Sequence, residues 1–141
     1  MEKICELVKQ YGPLGGRILL AALFVQSGFG KLMAFDATVG YIAAKGLPLA
    51  QLGAVIAIVV ELLGGILLVL GWQTRWVATV FFVFLIPTTV IFHAYWAVDA
   101  TQMRGQQIQF MKNLCIMGGM LYVMAFGAGP LSLDNRKRAS N

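Results

Sequence analysis

Glu61, His93, Arg17, Lys31 and Lys112 are the side chains with chemistry to offer, and each falls inside or at the edge of a long apolar run. A charge at mid-bilayer costs at least about 2.5–3.5 kcal/mol on insertion scales, so such a residue persists where it faces protein or water. Glu61 lies near the middle of its run. At helical spacing Ala50, Gly53, Ala54, Ala57, Glu61, Gly64 and Gly65 fall within roughly 60° of one line. Small residues on one stripe let helices approach closely, which directs the Glu61 carboxylate into a bundle. By depth, Arg17 and Gln26 are its partners, and an interhelical Arg17–Glu61 ion pair is expected.

The other runs carry their ionisable groups in the same way. Arg17, Ala21, Phe24, Gly28 and Lys31 share one helical face; Phe82, Ile86, Thr89, His93 and Trp96 share a second; Lys112, Cys115, Gly119 and Tyr122 share a third. Lys31, His93 and Lys112 then lie within one to two turns of the outer surface, and Arg17 within one turn of the inner surface. Cationic groups meeting at one depth can hold an anion or a quinone oxygen. The candidate ligand-binding set is Lys31, Glu61, His93, Trp96, Lys112 and Asn113. Against it stand snorkelling of the two lysines to the headgroups and a histidine hydrogen-bonded to Thr89 or Trp96.

Other chemistries lack their residues. Cys5 and Cys115 are far apart and form no C-x-x-C pair, and no metal-ligand set or Ser-His-Asp arrangement is apparent. Neither a P-loop nor a dinucleotide fingerprint occurs. No metal is expected, and no catalytic residue is assigned. The seven methionines read as packing residues, because Met111, Met117, Met120 and Met124 do not share one face.

The elements that must position these groups are membrane helices. Of the 141 residues, 59% are hydrophobic and 12% charged, where soluble chains carry about a quarter charged residues. Mean hydropathy is +0.77. Runs of about 20 residues without period-two alternation exclude strands. The sequence predicts an all-α membrane protein, a four-transmembrane-helix bundle with spans at about 14–33, 49–70, 76–97 and 108–128. Residues 1–13 read as an interfacial leader broken at Gly12-Pro13, residues 14–133 as the membrane domain, and 134–141 as a basic tail. No cleavage-site pattern follows the first run, which argues against a secretory signal. Pro87 predicts a kink in the third span.

The net charge of +5 reflects cationic loop edges and tails, not a surface for nucleic acid. Lys3, Lys9, Arg75, Arg136, Lys137 and Arg138 outnumber Lys45 and Arg104 on the opposite side, which places both termini in the cytoplasm. Gly71 to Arg75 forms a tight turn flanked by Trp72 and Trp76, rings suited to the headgroup layer.

The order of short motifs is specific. Gly16-Arg17-Ile18-Leu19-Leu20, Phe24 and Ser27-Gly28-Phe29-Gly30-Lys31 are followed by Glu61-Leu62-Leu63-Gly64-Gly65, Gly71 before Thr74-Arg75, and His93. Gln109-Phe110-Met111-Lys112-Asn113, Gly118-Gly119 and Gly127-Ala128-Gly129-Pro130-Leu131-Ser132-Leu133-Asp134 complete the pattern. Over about residues 13–134 the chain resembles the DoxX family of small four-helix bacterial inner-membrane proteins. The resemblance implies a multi-pass inner-membrane location and a link to thiosulfate:quinone oxidoreductase or to sulfur and thiol redox balance. It maps the family's polar motif onto Arg17, Lys31, Glu61, His93, Lys112 and Asn113.

Three readings follow. The first is the membrane subunit of a redox system, holding a quinone or a small anion such as thiosulfate at the outer mouth and working with a redox partner protein; quinone is the one cofactor it involves. The second is a structural or scaffolding protein whose polar stripe is interhelical glue. The third is a proton-coupled permease using Glu61, which with so few spans requires a homo-oligomer. None is a self-contained enzyme, since no larger domain accompanies the membrane helices.

Overall fold

The computed structural model describes residues 1–139, and among them every regular element is helical. Three helices are long and apolar enough to cross a membrane, or up to four if one bent pair counts as a span.

Helix α1 (Glu2–Met33) runs unbroken through Pro13. The break expected at Gly12-Pro13 does not form. In lipid a broken helix leaves backbone groups with nothing to bond, so the helix persists at the cost of one proline. Pro13 packs on Gly129, where φ is +80° and an added Cβ would collide with the proline ring.

Helix α2 (Phe35–Ala44) replaces the loop expected there and leaves α1 at an angle of 99°. A helix satisfies its own backbone groups where a loop would not. The Thr38 hydroxyl also donates to the Ala34 carbonyl at 3.0 Å.

Helix α3 (Ala50–Leu70) contains one π-helical turn, Val59–Leu63, which carries Glu61. It stops at Gly71, whose φ of +66° lies in the left-handed region and whose missing side chain makes room for Arg17 and Ser132. Its last carbonyls are met by the Gly71 and Trp72 amides, which donate to Leu68 and Leu67 at 3.2 and 3.1 Å, as in a Schellman ending.

Helix α4 (Thr74–Phe92) ends earlier than the predicted span, and a 3-10 turn (Tyr95–Ala97) follows. It is continuous through Pro87, with the Thr88 hydroxyl donating to the Phe84 carbonyl at 2.8 Å. Helix α5 (Ala100–Phe126) starts well before residue 108, adding turns that carry Gln106. A short α6 (Leu133–Ala139) closes the described chain.

The core gathers Ala21, Phe24, Leu68, Val77, Ala78, Phe81, Leu85 and Met120. Phe24 and Phe81 meet with ring centroids 4.1 Å apart. The buried faces of α1 and α3 are the predicted ones. Those of α4 and α5 are rotated: Thr89 is buried as predicted, but Ile86, Cys115 and Tyr122 are exposed, while Phe81, Leu85, Asn113 and Met120 are buried. The predicted phase on α4 was set by His93 and Trp96, which lie beyond the helix end, so they could not report its wheel.

Candidate functional site

Between the five longer helices lies a cavity of about 690 Å³, and Lys31, Glu61, His93, Lys112 and Asn113 all line it. Each is delivered by a local feature of its helix.

Lys31 sits in the last turn of α1, where a cation suits the helix dipole. Its ammonium donates to Ser27 Oγ at 2.5 Å and to Glu61 Oε2 at 2.7 Å. Glu61 is only 5% exposed. The π-turn brings it to α1 at Gly28, where a Cβ would stand 2.8 Å from the Leu62 nitrogen and 3.1 Å from the Glu61 Cβ. Close approach here rests on the absent side chain.

His93 caps the end of α4, its amide donating to Thr89 O at 3.1 Å and its Nδ1 pairing with Gln106 Oε1 at 2.9 Å. Neither Thr89 Oγ1 nor Trp96 is its side-chain partner. Thr89 Oγ1 instead accepts a hydrogen bond from Asn113 Nδ2 at 3.0 Å, and Lys112 donates to Gln109 Oε1. Apolar wall comes from Phe84, Leu85, Phe92, Tyr41 and Ile42. The Tyr41 and Phe92 rings lie 5.5 Å apart, joining α2 to α4 across the cavity.

Two expectations are corrected. Trp96 is absent from the lining: it is 56% exposed and meets Tyr95 and Phe110 edge-on at 5.1 and 5.7 Å. The chain has left its helix after Phe92, so a residue placed by helical spacing points elsewhere. The Arg17–Glu61 pair does not form, because Lys31 lies closer along α1 and takes the carboxylate. Arg17 is 1% exposed and directs its guanidinium to backbone carbonyls, through Nη1 to Leu68 and Val69 at 3.0 and 2.6 Å and through Nη2 to Leu131 at 2.5 Å. These are carbonyls at the C-terminal end of α3 and in the chain after α5, which a cation meets well.

Ser27, Thr38, Tyr41, Thr88, Gln106 and Gln109 also line the cavity and were not anticipated. Gln106 and Gln109 carried a signal, three-to-four spacing with the expected Asn113 on one helix face, although Gln106 lies before the span predicted to begin at about residue 108. At the opposite end a second cavity of about 580 Å³ is bordered by Arg75, Trp76, Phe126 and Asp134. There Asp134 accepts from the Gln73 and Thr74 amides at 2.8 and 2.9 Å, capping α4 from the C-terminal segment.

A helical multi-pass membrane protein with a polar-lined cavity between its helices is the class this architecture defines. The DoxX family model matches residues 12–94, and the chain belongs to that family. It is 41% identical over 120 residues to the inner membrane protein YphA of Escherichia coli K12, covering 85% of this chain and 86% of that one. To the inner membrane protein YqjF of the same organism it is 34% identical over 127 residues, covering 90% and 92%. The ER-derived vesicles protein ERV29 of Saccharomyces cerevisiae is 25% identical over 133 residues, which are 94% of this chain but 36% of that protein. No solved structure matches. The chain is a multi-pass inner-membrane protein.

Proposed function

We propose that this chain is the membrane subunit of a redox system and that its cavity holds the headgroup of a lipid-soluble quinone. The observation that carries the reading is the convergence of Lys31, Glu61, His93, Lys112 and Asn113 on one cavity with aromatic and aliphatic walls. A volume of about 690 Å³ falls in the range that small organic ligands occupy, about 300–1,000 Å³. Lys31 is neutralised by Glu61, leaving Lys112 as the one lysine of the lining without a carboxylate partner. That balance suits a neutral ring with polar oxygens better than a doubly charged anion such as thiosulfate. In this reading the chain has four spans, α1 with α2 forming the first, both termini are cytoplasmic, and the cavity opens toward the outer face. Electrons pass between the ring and a redox partner protein.

The test is titration of a short-chain benzoquinone, and separately of thiosulfate, into protein held in lipid nanodiscs. The quinone binds, and Lys112→Met or His93→Ala weakens it about tenfold, the loss of one charge-assisted or well-formed hydrogen bond. Thiosulfate binding without quinone binding would move the reading to an anion site, and binding of neither would overturn it.

Scaffolding has its own observation in Arg17, whose guanidinium hydrogen-bonds to backbone carbonyls and which is not among the residues lining the cavity. Arg17 therefore belongs to packing, and the glue reading applies to it and not to the cavity residues.

A further inference from the structure

Glu61 is 5% exposed, and only one of its two oxygens is engaged: Oε2 accepts from Lys31, while Oε1 accepts no hydrogen bond from the described residues. Oε1 is not enclosed either, since the enclosed side-chain atoms without partners are Arg17 Nε and Thr74 Oγ1. Glu61 lines the cavity, and Oε1 is the oxygen it has left to offer a ligand there. Beside it, the Lys31 ammonium has three hydrogens, of which Ser27 Oγ and Glu61 Oε2 take two. The ion pair of two cavity-lining residues thus leaves one acceptor oxygen and one donor hydrogen unused among the described residues.

A hydroxyl matches that pair, because its oxygen receives from Lys31 while its hydrogen goes to Glu61 Oε1. A carbonyl does not: it can receive from Lys31, but it sets a second lone-pair oxygen against the carboxylate. A buried carboxylate oxygen left without a donor is unfavourable, so the difference falls on the carbonyl form. We infer that the cavity selects the reduced, hydroxyl-bearing form of its ring ligand, a hydroquinone, with Glu61 Oε1 as the acceptor of the ring hydroxyl. This rests on the ring-binding reading above and adds to it the form of the ligand and the residue that distinguishes the forms. The second ring oxygen then faces Lys112, His93 and Asn113, which line the same cavity.

The experiment uses the full chain in nanodiscs, under anaerobic conditions, with calorimetric titration of three probes: a short-chain benzoquinone, its hydroquinone, and the hydroquinone dimethyl ether. The ether keeps the ring and the acceptor oxygens but has no hydrogen to give. The hydroquinone is expected to bind about tenfold more tightly than the other two, the fold-change of one charge-assisted hydrogen bond. In Glu61→Gln the preference shrinks or reverses, because an amide can also donate to a carbonyl. Equal binding of hydroquinone and ether, or tighter binding of the quinone, would overturn the inference and leave the ring-binding reading standing. Failure of all three probes to bind would overturn that reading, and the inference with it. The comparison of probes on the unaltered protein decides the matter even where the variant fails to fold.

Discussion

Gly28 of α1 lies so close to Leu62 of α3 that a Cβ on the glycine would stand 2.8 Å from the Leu62 backbone nitrogen. The neighbour is main chain and cannot swing aside. Gly28→Ala is therefore expected to force α1 and the π-turn apart, costing about 1–3 kcal/mol as other overpacked cores do. Loss of folded protein in detergent against rising SDS measures it. Gly30→Ala on the same helix, where nothing lies within 4 Å of an added Cβ, is the control and should leave the unfolding midpoint unchanged.

Arg17 joins α1 to carbonyls at the end of α3 and to Leu131 beyond α5. Arg17→Met leaves the Val69 and Leu131 carbonyls without this donor, each at about 1–3 kcal/mol, while Leu68 keeps its bond from the Gly71 amide. Arg17→Lys keeps the charge but cannot fork, so it should recover part of the loss and remain below the native protein. Unfolding midpoints of the two variants check the order, and equal stability of the lysine and arginine forms would remove the fork from the account.

The two ends of the bundle differed in how legible they were. On α1 and α3 the polar residues lie within continuous helix, so period 3.6 placed Arg17, Lys31 and Glu61 on the faces where they are found. Which partner each takes was not legible, because Lys31 and Arg17 share one stripe and only the height of the π-turn decides between them. His93 and Trp96 lie past the end of α4, and a helical wheel has no meaning there. Helix α2 was not legible because its 10 residues are too few for a periodic signal, with Asp36 and Thr38 as the polar positions among small and apolar ones. What makes it helical is its surroundings.

Asp134 caps the first turn of α4 with both carboxylate oxygens, at 2.8 Å from the Gln73 amide and 2.9 Å from the Thr74 amide. No side chain of α4 caps its own N-terminus. Asp134→Ala is expected to cost about 1–2 kcal/mol, and Asp134→Asn less, since an amide oxygen still accepts although the charge that suits a helix N-terminus is gone. Hydrogen exchange at the Gln73 and Thr74 amides should quicken in both variants, and unchanged exchange would exclude the cap.

The count of spans has a direct readout. If α1 and α2 together make one crossing, as proposed, the chain would have an even number of spans and both ends would face the cytoplasm, the side that cationic tails favour. Green fluorescent protein fused to either terminus should then fluoresce, and alkaline phosphatase fused to either should be inactive. Three spans would instead place the termini on opposite sides, and one of the two phosphatase fusions would be active.

The Lys31–Glu61 pair separates glue from site. Its side chains are 30% and 7% exposed, so the two halves are not equivalent. Lys31→Met strands a buried carboxylate and should cost about 3 kcal/mol. Glu61→Leu leaves a lysine that can still reach the cavity, and should cost about 1–2 kcal/mol once that exposure is allowed for. Removing both charges together removes the stranded partner, so Lys31→Met with Glu61→Leu should return to within about 1 kcal/mol of the native protein. If the pair were only packing, the double variant would behave as the native chain in every assay. As part of a ligand site it should fold and yet lose ring binding, since neither donor nor acceptor remains. Stability by SDS titration and binding by calorimetry on the same preparation decide between them: a stable double variant with full binding refers the pair to packing alone.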